Sequence, residues 1–112
     1  MPDPLSPETA ARRLAVSLPL WEVEDGRLVR MFETGGWRVG SLLHGMIAFL
    51  AEAANHHPDV LLTYDRVTVR LVSHDVGGIT DRDLELARRI ETAVTDEWDP
   101  AVFTHAPRAW IR

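Results

Sequence analysis

From about Arg38 to Asn55, apolar residues recur at Val39, Leu42, Leu43, Met46, Ile47, Leu50 and Ala54, the spacing of one helix face. A helix with one wide apolar stripe has to bury it against a second layer of structure. The helix cannot run far beyond Asn55. Pro58 disfavours helical geometry at the residue before it, so His56 and His57 fall at a helix terminus. Gly40 and Gly45 weaken the helix by ~1 kcal/mol each relative to alanine, which suggests close packing against a neighbour.

The second layer is legible as strands. Arg66 to His74 alternates, with Val67, Val69 and Leu71 facing one way and Arg66, Thr68, Arg70 and His74 the other. Val60 to Thr63 is a short apolar strand candidate. Trp21 to Glu24, Asp25-Gly26, then Leu28 to Phe32 reads as a β-hairpin, because Asp-Gly between two such runs favours a tight turn. Ser6-Pro7-Glu8 reads as a capped helix start, the helix running to about Val16. Gly77-Gly78 breaks the last strand, and Thr80 starts a helix with Asp83 completing a variant capping box. Leu84, Ala87, Ile90 and Val94 form the buried stripe of that helix. The order predicts an α+β fold: a two-layer sandwich whose four-stranded antiparallel sheet arises as hairpin, helix, two strands, helix, with an extra N-terminal helix.

At 112 residues the chain is expected to form one domain over 1–112, with a core at about 18–94 and an extension at 95–112. Trp98, Phe103 and Trp110 make that extension too apolar for a free tail; it is expected to fold back on its own domain, the alternatives being a neighbouring subunit or a partner. The net charge of −5 argues against nucleic acid or an anionic membrane as partner. No run reaches transmembrane length, and Met1-Pro2-Asp3-Pro4 lacks a signal-peptide pattern, so the expected location is cytoplasmic. With no cysteine, disulfides and thiolate chemistry are excluded. All twelve basic residues are arginine, which also excludes a Schiff-base lysine and a Walker-type phosphate loop.

What remains is histidine, carboxylate, hydroxyl or metal chemistry. Glu52, His56 and His57 lie within six residues, and His74 ends the alternating strand; together they look like the parts of an acid–base site. Glu52 and His56 are four apart, so they are expected to stack on one helix face as an ion pair contributing roughly 0.2–0.5 kcal/mol. Asp83 fits a helix cap as well as it fits a catalytic group. Three histidines and a carboxylate also raise a zinc reading, but the usual local ligand pairs are missing and no metal is expected. His44 and His105 are expected in surface or packing roles.

The series Glu52, His56, His57, Pro58, Tyr64, His74 and Asp83 resembles the signature of the pterin-4a-carbinolamine dehydratase family without a gap. Leu18-Pro19-x-Trp21 and the block from His74 through Gly77-Gly78-Ile79-Thr80 to Asp83 are similar to it too, and the likeness spans about Leu18 to Val94. It departs after Pro58, where Asp59-Val60-Leu61-Leu62 replaces the family's usual aromatic or charged pair. The resemblance implies loss of water from a 4a-hydroxy-tetrahydropterin, giving quinonoid dihydropterin, with no cofactor or metal. It implies His56, His57 and His74 as catalytic groups, and Glu52, Pro58, Tyr64 and Asp83 as supporting or substrate-binding ones. Glu52 would orient a histidine and Tyr64 would serve as wall or turn. The expected partners are a reduced pterin and further copies of the chain in a homodimer or homotetramer. The alternative function is a non-catalytic interaction protein on the same scaffold, like a transcription cofactor or a RuBisCO assembly factor.

Overall fold

The structure is a computed structural model describing residues 3–96, 101–102 and 111–112. Helix α1 (Pro7–Ser17) is followed by strands β1 (Glu22–Glu24) and β2 (Arg27–Glu33) and helix α2 (Trp37–Ala54). Strands β3 (Asp59–Thr63) and β4 (Arg66–Leu71) and helix α3 (Asp81–Thr95) complete the order.

The local signals act as their chemistry demands. Ser6 caps α1 by accepting from the Thr9 backbone N–H at 3.1 Å, with Pro7 in the first turn. Asp25 and Gly26 both take positive φ, 51° and 73°, so the β1–β2 turn twists in the sense its strands require.

The four strands form one sheet in the order β1-β2-β4-β3, every neighbouring pair antiparallel. β2 and β3 therefore run the same way, α2 crosses between them, and β4 fills the gap. The register aligns Phe32 with Val67 and Leu62, and Arg30 with Val69 and Val60, on one face. The helices cover that face. Leu43, Ile47 and Ala51 of α2 and Leu86, Ala87 and Ile90 of α3 join Leu28, Phe32, Val67, Val69 and Leu71 in the core.

Arg30 is a buried charge on this apolar face. Its guanidinium meets Glu91 of α3 at 3.0 Å and lies 4.1 Å from the Phe32 ring centroid, and Glu91 also accepts from Trp21 Nε1 at 2.8 Å. A buried charge is tolerated only when paired and hydrogen-bonded in this way.

The α2 stripe is narrower than its sequence suggests. Val39, Met46 and Leu50 are at least partly buried, but Leu42 is 63% exposed and Ala54 is exposed as well. Phe49, one heptad on from Leu42, is 70% exposed. The glycines divide too. A Cβ on Gly40 would come within 2.9 Å of Leu62 Cδ1, so α2 closes on β3 there, whereas Gly45 faces open space. Of the extension, Ile111 packs against the core and the Arg112 backbone exchanges hydrogen bonds of 2.6 and 2.9 Å with Glu33. The expectation for Trp98, Phe103 and Trp110 lies outside the described residues.

Candidate active site

The C-terminal end of α2, the start of β3, the end of β4 and the start of α3 meet at one end of the sheet. α2 stops there by a specific device. Asn55 takes a left-handed φ of 49°, its N–H bonds to the Glu52 carbonyl at 3.1 Å, and the His56 N–H bonds to the Ala51 carbonyl at 3.0 Å. This is the 5→2 and 6→1 pairing of a Schellman motif, with asparagine in the position glycine usually fills.

The turn sends the two histidines to different partners. His56 Nε2 lies 2.5 Å from Asp83 Oδ1, with the imidazole only 12% exposed and Asp83 fully buried. His57 Nε2 instead meets Glu52 Oε2 at 3.1 Å on the exposed surface. The expected Glu52–His56 pair is thus replaced. Once Asn55 leaves the helix, the i,i+4 relation no longer describes residue 56.

Asp83 is both cap and anchor. Its Oδ2 accepts from the Thr80 backbone N–H at 2.9 Å, closing the capping box of α3, and from the Ser73 hydroxyl at 2.8 Å. Ser73 Oγ is also 2.7 Å from Thr80 Oγ1. Sequence reasoning passed over Ser73. The signal available was its place in phase with Val67, Val69 and Leu71, which calls for a buried side chain at a hydroxyl residue.

His74 follows Ser73 in a turn, three residues beyond the end of β4. Ser73 and Gly78 exchange backbone hydrogen bonds of 3.0 and 3.3 Å across it, and Gly77 takes φ 69°. Asp75 accepts from Arg82 at 2.7 Å, and that hydrogen bond holds the Asp75 carboxyl below its usual value. Leu5 N–H bonds to the Ile79 carbonyl at 2.7 Å, and a Cβ on Gly78 would come within 2.7 Å of Pro4. The turn carrying His74 is thus tied to α3 and overlaid by the N-terminal segment. The imidazole itself is exposed and has no hydrogen-bond partner among the described residues.

The remaining sequence candidates separate. Pro58 leads directly into β3 at this end of the sheet. Tyr64 sits in the β3–β4 turn at the opposite end, 71% exposed and about 16 Å away at the usual strand rise from Asp59. His44 is half-buried in α2, and His105 lies outside the described residues. Among the described residues no group of three His, Asp or Glu side chains could hold a metal ion, and no helix is long and apolar enough to cross a membrane. A cleft of about 340 Å³ between α1 and α3 does not reach the histidines. Its ionic lining is internally paired: Arg13 with Asp81 at 2.5 Å, and Arg88 with Glu85 at 2.7 Å. Hydrogen bonds from Arg88 and then Arg89 pull the Glu85 carboxyl from 4.5 down to about 2.

Residues 3–93 match the model of the family described as pterin 4 alpha carbinolamine dehydratase. The chain belongs to that family. A Synechococcus protein (strain WH7803) named "Putative pterin-4-alpha-carbinolamine dehydratase" is 39% identical over 87 residues, covering 78% of this chain and 94% of that protein. An Aquifex aeolicus protein of the same name is 38% identical over 92 residues, covering 82% and 92%. Among solved structures, the Brucella Melitensis protein described as a transcriptional coactivator/pterin dehydratase superposes with a TM-score of 0.72 at 28% identity. That superposition covers 80% of this chain and 97% of the other. The family's sandwich of helices on an antiparallel sheet is the fold described above.

Proposed function

We propose that this protein is a 4a-hydroxytetrahydropterin dehydratase that uses histidine acid–base chemistry. In the reaction the C4a–O bond breaks, the departing hydroxyl takes a proton and leaves as water, and a base removes the N5 proton as the C4a=N5 bond forms. His56, His57 and His74 supply the proton donor and acceptors, with a pterin as the only small-molecule partner. The observation that carries this reading is the division of the histidine pair, one imidazole anchored on a buried carboxylate and its neighbour open to solvent. Such a site holds one ring in fixed orientation while the other exchanges protons with water.

The test generates the 4a-hydroxy compound in place and follows quinonoid dihydropterin by absorbance against the uncatalysed rate. Acceleration that falls about 10²- to 10⁴-fold on His56→Ala or His74→Ala supports the reading. Folded single-histidine variants with wild-type rates would sink it.

A second reading, an interaction protein, draws on exposed Leu42 and Phe49 on α2 and on the coactivator description of the Brucella Melitensis protein. It moves ahead if the wild-type chain does not exceed the uncatalysed rate. Homo-oligomerisation is proposed with either reading, since β3 is an edge strand whose outer backbone groups a second copy can pair. A monomer by light scattering at micromolar concentration counts against it.

A further inference from the structure

We propose that Ser73 is a positioning residue which, through Asp83, fixes the His56 proton on Nε2 and keeps Nδ1 as a lone pair. For its effect on turnover this rests on the dehydratase reading; for the tautomer it does not. The Arg82 backbone N–H only donates, and it donates to Thr80 Oγ1 at 3.2 Å. Thr80 and Ser73 each have a single hydroxyl hydrogen, and both are buried with Asp83.

Suppose Ser73 donated to Thr80. Its lone pairs would then face those of Asp83 Oδ2 at 2.8 Å with no solvent to intervene. The buried arrangement is relieved only if Thr80 donates to Ser73 and Ser73 donates to Asp83. The Thr80 backbone N–H adds a second donor to Oδ2, at the N-terminal end of α3, where the helix favours an anion. Every hydrogen in the cluster therefore points toward an ionised Asp83.

An ionised carboxylate can only accept. His56 Nε2, 2.5 Å from Oδ1, must carry the hydrogen between them. In the neutral ring that leaves Nδ1 without one. Nδ1 has no partner among the described residues, yet no unpaired side-chain nitrogen or oxygen among them is buried, so Nδ1 reaches solvent. A lone pair with some access to solvent, on a ring locked from behind, suits the group that takes the N5 proton. His56 is the base, and Ser73 and Thr80 hold it in the form that can act.

The experiment compares Ser73→Val with Ser73→Thr, which have the same shape and differ in the hydroxyl alone. Imidazole ¹⁵N spectra at about pH 9, where a histidine ring is ordinarily neutral, report which nitrogen is protonated, with His56→Gln giving the assignment. Wild type and Ser73→Thr are expected to hold the Nε2–H form. Ser73→Val leaves Asp83 Oδ2 one donor short and frees the carboxylate to turn away from the ring, so a mixture of tautomers is expected, with kcat reduced about 10- to 100-fold relative to Ser73→Thr and KM little changed. A folded Ser73→Val with the wild-type tautomer and the kcat of Ser73→Thr overturns the proposal. If Ser73→Val does not fold, the wild-type spectrum still decides, because a His56 hydrogen on Nδ1 overturns it alone. Absence of wild-type turnover would overturn the dehydratase reading and leave the tautomer comparison standing.

Discussion

Asp83 caps α3 with one carboxylate oxygen and holds His56 with the other, so a helix start and a candidate catalytic ring share one side chain. Asp83→Asn separates the two roles. Asparagine keeps a single acceptor oxygen, which the Thr80 N–H and Ser73 hydroxyl claim, and its NH₂ group then faces His56. The ring must answer with a lone pair at Nε2, moving its hydrogen to Nδ1. Turnover is expected to fall about 10²- to 10⁴-fold while the cap survives, so stability changes by no more than about 1 kcal/mol. The tautomer error behind loss of activity in Asp→Asn variants of Ser-His-Asp enzymes is of the same kind. Assay and thermal melting on one sample check both halves.

The two α2 glycines should respond in opposite ways. Gly45 faces open space on the helix surface, so Gly45→Ala is expected to stabilise by about 1 kcal/mol. At Gly40 the new methyl must displace Leu62 Cδ1 and crowd Thr34 Oγ1 at 3.3 Å. Gly40→Ala is therefore expected to lose that gain to overpacking, which typically costs about 1–3 kcal/mol. Urea unfolding of both variants tests the contrast, and equal stabilisation would contradict it.

Glu91→Ala leaves Arg30 buried without its counter-ion and Trp21 Nε1 without its acceptor. The side chains of the ion pair are 7% and 14% exposed, so solvent cannot replace the lost carboxylate. Destabilisation of about 3–5 kcal/mol is expected. Replacing both partners, as Arg30→Met with Glu91→Leu, should recover most of it, since no charge is then stranded. A double-mutant cycle by chemical denaturation measures the difference.

The loop carrying His74 should loosen in acid. The hydrogen bond from Arg82 holds the Asp75 carboxyl below its ordinary 3.8 in the folded chain. A depressed carboxylate contributes stability that is fully present above 3.8 and is lost as pH falls through the lower, folded value. Both side chains are largely in solvent, so the effect on global stability is small and screened by salt. Amide protection at Val76 and Gly77, measured against the intrinsic exchange rate at each pH, should fall below about pH 3.8 in wild type, and already at neutral pH in Asp75→Asn. An unchanged exchange pattern would show that the turn is held by Ser73 and Gly78 alone.

Much of this architecture was legible because the signals are local. Asp25-Gly26 gives a hairpin, Pro58 stops a helix, and Thr80 with Asp83 starts one, each by a physical preference confined to a few residues. The failures are non-local or directional. Leu42 falls on the apolar stripe by spacing, but α2 is apolar around much of its circumference, and spacing cannot say which arc meets the sheet. Gly45 looks like Gly40 until the approach of Leu62 is known. Tyr64, expected as wall or turn, does stand in the β3–β4 turn, but only the paired strands show that this turn is at the far end of the sheet from His57. Glu52 and His56 would stack only if the helix persisted through residue 56, and the left-handed Asn55 between them ends it first.

The same left-handed residue fixes the angular phase of the histidine pair. Successive residues on a helix are about 100° apart, so removing one residue from the last turn of α2 would rotate everything after it by that amount. The Asn55 corner would then carry both rings away from their present directions, and His56 would no longer face Asp83. The length of α2, counted to the residue, is therefore part of what joins His56 to Asp83.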